Sequence, residues 1–218
     1  MKILLAACNA KYIHSNLAVF NLKACAKEYD SNVVLREYTI NQQKDDILKD
    51  IYRCHPDVIC ISCYIWNITF VRELMQDLRK ILPDVPFWAG GPEVSYDAET
   101  FLGKNPAFNG VMVGEGEETF LELVKHYVDG SVILEETRGL VYRKADGALQ
   151  NNGWRQLMDL SKVPFAYENL EDFENRIIYY ESSRGCPFRC SYCLSSIDKR
   201  VRFRSLALVK KELQVFLD

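Results

Sequence analysis

The chain has 218 residues, 48% of them apolar, and a net charge near −3, so it can bury a sizeable core and is not a disordered chain. The mild acidity argues against a surface that binds nucleic acid nonspecifically, and no apolar run approaches the ~20 residues that cross a bilayer. At ~150 residues per domain, the length predicts one large domain, or one domain with a further piece.

Residues 3–7, Ile-Leu-Leu-Ala-Ala, read as a buried strand. Leu5-Ala6-Ala7-Cys8 resembles a lipoprotein cleavage site, but a secretory apolar region runs ~7–15 residues and this one is shorter. The protein is therefore expected to be cytoplasmic, without a membrane partner. Its eight cysteines are read as thiols or metal ligands rather than disulfides. Residues 16–29 place Leu17, Phe20 and Ala24 at helical spacing, and 33–38 read as a strand. Residues 45–54 carry Ile47, Leu48, Ile51 and Tyr52 on one helix face, and 57–62 form another buried strand. Val71, Leu74, Met75, Leu78 and Leu82 make a helical stripe. A strand at 85–89 ends at Gly90-Gly91-Pro92. A short helix at 98–102, a strand at 108–113 and a helix at 117–128 complete this part.

Strands apolar on both faces and separated by helices predict an α/β fold. The expected architecture is a doubly wound five-stranded parallel sheet of the flavodoxin or Rossmann type, in order 2-1-3-4-5, over residues 1–135. Residues 136–175 read as a connector with a β-hairpin, 139–143 and 148–150, turning at Ala145-Asp146-Gly147. Residues 176–218 read as one strand (176–182), a cysteine loop and a helix (205–217). An eight-unit barrel needs about 250 residues, so this last unit is expected to be the start of a longer, incomplete barrel.

The strongest chemical signal is Arg184-Gly185-Cys186-Pro187-Phe188-Arg189-Cys190-Ser191-Tyr192-Cys193, a C-x3-C-x2-C cluster. Three thiolates in one short loop suit a metal. An all-cysteine iron–sulfur cluster takes four ligands, so three would leave one iron open. A zinc site completed from a distance and three unmetallated thiols are the alternatives.

Ligands in open parallel sheets bind beyond the carboxyl ends of the strands. Four loops follow predicted strands and are expected to share one rim: 8–16 with Asn9, Tyr12 and His14; 62–67 with Ser62, Tyr64, Trp66 and Asn67; 90–96 with Gly90, Gly91, Pro92 and Glu93; and 114–118 with Gly114, Glu115 and Gly116. Glycines let a flat ring approach the backbone, although each glycine pair alone is more often a turn. His14 reads equally well as a solvated loop residue, and Tyr64 and Trp66 equally well as packing under the next helix. Cys60-Ile61-Ser62-Cys63 is a CxxC inside a buried strand and is read as core thiols. His55 and His126 read as solvent-facing helix ends. Residues 184–212 carry a net charge of +6 against −9 for the remainder. The preferred reading is a solvated helix entry, so no nucleic-acid partner is expected.

Cys186, Cys190 and Cys193, with Tyr192 just before the last of them, resemble the signature of radical S-adenosylmethionine (SAM) enzymes. Asn9–Asn16, Trp88–Glu93 and Val113–Phe120 resemble the loops of the cobalamin-binding domain that precedes many of those enzymes; Glu93 stands where His is common. The resemblance implies a 4Fe–4S cluster on the three cysteines, with SAM chelated at the open iron and its adenine near Tyr192. Reduction would cleave SAM to a 5′-deoxyadenosyl radical. It implies cobalamin between sheet rim and barrel mouth, an electron donor such as flavodoxin or ferredoxin, and an unidentified small-molecule substrate. The family includes methyltransferases and oxidative cyclases such as the anaerobic magnesium-protoporphyrin monomethyl ester cyclase. The expected function is that of the amino-terminal part of such an enzyme, itself incapable of turnover. Two rivals are kept: an empty, degenerate cobalamin domain on a radical SAM enzyme, and a noncatalytic ligand-binding regulatory module. No histidine sits in an Asp-x-His-x-x-Gly setting, so cobalamin is expected without a protein His on its cobalt.

Overall fold

The computed structural model describes residues 1–197 and 200–218. Strand β1 (Ile3–Asn9) is buried along its whole length. Its side chains alternate between the two faces, as the period of two in a strand demands. Leu4, Ala6 and Cys8 enter one core, and Ile3, Leu5 and Ala7 the other. Strand β2 (Val33–Thr39) pairs parallel to β1 on one side and β3 (Val58–Ser62) on the other, with Ile3 opposite both Val33 and Val58. Strands β4 (Phe87–Gly90) and β5 (Gly110–Met112) continue the parallel ladder. The expected order 2-1-3-4-5 is thus found.

Helices α1 (Leu17–Cys25) and α6 (Glu117–Val128) contribute Val19, Phe120, Leu123 and Val124 to one core. Helices α2 (Lys44–Cys54), α3 (Ile68–Ile81) and α5 (Ala98–Lys104) contribute Ile47, Ile51, Leu74, Leu78 and Leu102 to the other. A one-turn helix, α4 (Pro92–Ser95), follows β4 at the rim and was not expected from the sequence. Its only apolar anchor, Val94, gives no periodic signal in four residues. Gly110 has a steric reason to lack a side chain: a Cβ there would lie 2.3 Å from the Trp88 ring.

The hairpin forms, but as part of the same sheet. Strand β6 (Leu140–Arg143) pairs antiparallel to β5, and β7 (Leu149–Asn151) pairs to β6, extending the sheet to seven strands. Val141 and Leu140 alternate into the two cores already described, and that burial draws the hairpin onto the β5 edge.

The strand expected at 176–182 is corrected. Only an isolated bridge links Ile177 to His14, and the ladder beyond it is the two-residue strand β8 (Ser183–Arg184) with β9 (Arg202–Phe203). That bridge is made by Ile177 N–H donating to the Ile13 carbonyl at 2.6 Å and Ser15 N–H to the Ile177 carbonyl at 3.3 Å, while Tyr179 N–H turns to the Tyr167 hydroxyl at 3.2 Å. Helix α7 (Leu206–Val215) is capped by the Ser205 hydroxyl, which accepts from Leu208 N–H. Phe216, just beyond it, closes an aromatic group with Phe165, Tyr167 and Tyr180. Below that group Arg204 donates to the Leu160 and Val163 carbonyls at 2.9 and 3.0 Å and pairs with buried Glu212. Leu206, Leu213 and Leu217 remain exposed. Among the described residues, no helix is long and apolar enough to cross a membrane.

Candidate functional site

The chain reverses its direction of winding between β1 and β3, and the crevice above their carboxyl ends is where open parallel sheets take ligands. A cavity of about 730 Å³ lies there. Its floor is Leu5, midway along β1, with Ile61, Ser62, Gly90 and Met112 at the ends of β3, β4 and β5. One wall is α1, through Leu17, Ala18, Val19, Asn21 and Leu22. Pro92, Ser95 and Tyr96 with Trp154 and Leu157 form a second part of the lining, and Glu181, Arg184, Gly185 and Leu194 a third.

Two glycines shape it. Gly91 has φ +110°, and a Cβ would sit 2.5 Å from the Cys63 carbonyl oxygen. Gly114 has φ +76°, and a Cβ would meet the Trp154 ring at 3.1 Å. Only glycine adopts both conformations without strain, so Gly91 can pass close against the Cys63 backbone and Gly114 can lie close under the Trp154 ring. Ser95 ties the two loops together: its hydroxyl donates to the Gly91 carbonyl at 2.8 Å and accepts Gly114 N–H at 3.2 Å.

The candidate residues divide by place. Ser62, Tyr64, Gly90, Gly91, Pro92, Gly114, Glu115 and Gly116 line the cavity. Burial pushes the Tyr64 hydroxyl above its ordinary range, and its ring stacks on Trp66 at 4.4 Å and 9°. Trp66 itself faces solvent. Asn67 is spent inside the fold, donating to the Cys8 and Ser62 carbonyls and accepting Tyr64 N–H. Asn9 donates to the His14 carbonyl and to Glu37. Tyr12 and Glu93 are exposed, and neither lines the cavity. His14 Nδ1 lies 2.6 Å from the Tyr179 hydroxyl. His55 is exposed at the end of α2, while His126 is half-buried with Nδ1 2.9 Å from the Val132 carbonyl, so only the first is a solvent-facing helix end. No histidine among the described residues lines the cavity.

Cys60 and Cys63 are buried core thiols, and desolvation raises both well above the ordinary thiol range. Cys186 and Cys193 are half-buried and Cys190 is exposed. Cys193 N–H donates to the Cys190 carbonyl at 3.2 Å. Among the described residues, no three of His, Cys, Asp and Glu are gathered closely enough to hold a metal. The donor set is right for a three-thiolate iron–sulfur site, but its sulfurs are not brought together in this conformation. Tyr192 is 90% exposed and outside the cavity.

Sequence reasoning missed the α1 wall, Ser95, Tyr96, Trp154 and the pairing of Arg184 and Arg202 with rim carboxylates. Trp154 carried a usable signal, a lone aromatic in the polar stretch Asn151-Asn152-Gly153-Trp154-Arg155-Gln156. Arg184 is surrounded by Glu115 at 3.2 Å, Glu181 at 2.7 Å and Glu117. Burial opposes its charge, but the Glu117 and Glu181 carboxylates outweigh that and raise its pKa further. Glu115 is likewise desolvated, yet Arg202, the Met158 N–H and Arg184 hold its carboxyl below the usual range.

Residues 3–124 match the B12 binding domain model, more than half of the chain. The chain belongs to the B12-binding domain family. The matched span holds the five parallel strands β1 to β5, helices α1 to α5 with most of α6, and Leu5, Ile61, Ser62, Gly90 and Met112 of the cavity. Among curated proteins it is 29% identical over 148 residues to the cobalamin-dependent radical SAM methyltransferase TokK of Streptomyces tokunonensis, covering 63% of this chain and 22% of that one. It is 30% identical over 179 residues to the methyltransferase PH0819 of Pyrococcus horikoshii, covering 78% and 39%. It is 22% identical to the anaerobic magnesium-protoporphyrin IX monomethyl ester cyclase of Rubrivivax gelatinosus, covering 76% and 32%. In fold it is similar to the cobalamin-dependent SAM radical enzyme OxsB, solved with aqua-cobalamin and SAM bound. The TM-score is 0.76 at 19% identity, over 97% of this chain and 31% of OxsB. The B12-binding chain thus spans between about a fifth and two fifths of these relatives' lengths.

Proposed function

We propose that this chain is the cobalamin-binding and cluster-bearing amino-terminal part of a radical SAM enzyme, a methyltransferase or an oxidative cyclase. The observation that carries the proposal is the 730 Å³ cavity on the carboxyl edge of a B12-binding sheet, whose lining runs directly into the C-x3-C-x2-C loop. The lining suits a large, mostly apolar ring: glycines at Gly90, Gly91, Gly114 and Gly116, apolar α1 residues, and the aromatic pair Tyr96 and Trp154. Cobalamin held there would supply a cobalt able to carry a methyl group or an electron, and a 4Fe–4S cluster the electron that cleaves SAM.

The protein's own contribution is binding and exclusion of water. Ser62, which accepts from Asn16 Nδ2 at 3.3 Å, adds a hydroxyl to the lining. Asn21 offers a polar contact on an otherwise apolar helix face. Glu115, Glu117 and Glu181 are balanced by Arg155, Arg184 and Arg202 along the lining, so the walls carry no strong field of one sign. Cys186, Cys190 and Cys193 would hold the cluster after the loop closes around it, with Tyr192 near the adenine of SAM. A small-molecule substrate, a flavodoxin- or ferredoxin-like electron donor, a cytoplasmic location and the division at residues 135 and 175 belong to the same proposal.

Two measurements test it. Aquocobalamin titrated into the aerobically purified protein shifts its visible absorption saturably; no shift rejects cobalamin binding and leaves an empty scaffold. Anaerobic reconstitution of the full-length parent with iron and sulfide yields about four irons per chain, lost in Cys186→Ala, Cys190→Ala and Cys193→Ala alike. Unchanged iron in Cys190→Ala rejects the cluster assignment.

A further inference from the structure

The cysteine loop is pinned at both ends. Its stems are β8 and β9, and Arg184 lies directly opposite Arg202 in that ribbon. Like charges facing each other across two strands repel. Here both guanidiniums reach one carboxylate on the sheet rim. Glu115 stands 3.2 Å from Arg184 Nη1 and 3.3 Å from Arg202 Nη1, also pairs with Arg202 Nη2, and accepts Met158 N–H at 3.0 Å. The three side chains are largely buried, where such pairs are less screened than at the surface. Glu117 and Glu181 also hold Arg184, but Glu115 is the carboxylate that both stems share.

Glu115 also belongs to the cavity. Its neighbours Gly114 and Gly116 line it together with Glu115. A group filling the cavity therefore bears on the three-residue segment whose central side chain secures the loop. We propose that Glu115 is a positioning residue that couples occupancy of the cavity to the order of the cysteine loop. The identity of the occupant rests on the cobalamin reading above; the pinning of the loop does not. By reciprocity, an occupant that orders the loop binds more tightly when the loop is ordered.

The experiment is hydrogen exchange read by mass spectrometry on the full-length protein, following the ribbon peptides around 183–184 and 202–203, with β1 as internal control. Without ligand, Glu115→Gln speeds ribbon exchange about tenfold and leaves β1 unchanged. Arg202→Gln, which also loses its bond to the Met158 carbonyl, speeds it at least as much, and the double variant falls short of the sum of the two, since the Glu115–Arg202 pair is common to both. Saturating aquocobalamin slows ribbon exchange in the wild type at least about fivefold, and this protection is lost in Glu115→Gln. Unchanged ribbon exchange in ligand-free Glu115→Gln overturns the pinning. Equal ligand protection in wild type and Glu115→Gln overturns the coupling. Absence of cobalamin binding by the wild type rejects the cofactor and the coupling to it, while the ligand-free arm still decides the pinning. If β1 also exchanges faster in Glu115→Gln, Arg202→Gln decides: faster ribbon exchange with β1 unchanged supports the role, and unchanged ribbon exchange overturns it.

Discussion

Every residue of β1 is buried, whereas Tyr192 in the cysteine loop is 90% exposed and Phe188 69%. The first region is held by apolar side chains meeting from both faces of a sheet, the second by ion pairs, an aromatic group around Phe216 and a two-residue ribbon. Burial is nondirectional and accumulates with area, so the sheet tolerates imprecision in any one contact. Ion pairs depend on particular partners, and loss of one partner leaves a charge stranded. The contrast places rigidity beneath the cavity and adjustability in the segment that carries the thiols.

The largest expected effect breaks the apolar region. Phe120 is fully buried on α6, and Phe120→Ala costs about 3–5 kcal/mol in urea unfolding. Leu217, 80% exposed, changes stability by less than about 0.5 kcal/mol when replaced by Ala. Equal costs for the two would erase the comparison.

Next comes the ionic region. Arg204→Met strands Glu212 and the Leu160 and Val163 carbonyls. The Tyr180 hydroxyl still donates to Glu212 at 2.6 Å, which puts the loss near the lower end of the range for a broken buried pair, about 3 kcal/mol. Hydrogen exchange detects it as faster opening of α7, while β1 and β3 keep their protection. Faster exchange throughout the sheet would mean that the two regions unfold as one.

A smaller effect is expected at the rim. Gly91→Ala introduces a Cβ at φ +110° against the Cys63 carbonyl, at a cost of about 1–3 kcal/mol. It lowers the thermal midpoint and weakens aquocobalamin binding in the same titration. Unchanged binding would show that the Gly91 backbone does not touch the ligand.

The smallest effect is a surface charge on α3. Hydrogen bonds from Lys44 and Lys80 hold the Asp77 carboxyl at about 2, below its unfolded value near 4. Its contribution is present above pH ~4 and is lost as pH falls through about 2. Asp77→Asn removes that part of the acid dependence, and an NMR titration of the carboxyl carbon gives the midpoint. A midpoint near 4 would show that the two lysines do not hold it.

The sequence by itself determined the sheet. Runs such as Ile3-Leu4-Leu5-Ala6-Ala7 and Val58-Ile59-Cys60-Ile61 are apolar on both faces, and the helical stripe of Val71, Leu74, Met75 and Leu78 is equally explicit. Local periodicity encodes such elements, and short right-handed crossovers leave few strand orders to choose from. The glycines at the strand ends and the cysteine spacing were legible for the same reason, since each is a property of a few consecutive residues. Tertiary structure alone decided where the hairpin goes, because Leu140 and Val141 gain burial only once β5 presents an open edge. It alone also decided that Asn67 supports the backbone rather than the cavity, and that Glu115 faces Arg184 and Arg202. Those partners are 69 and 87 residues away along the chain, and an ion pair at that separation leaves no periodic mark in the sequence. It exists only after the sheet has brought the two segments to one edge.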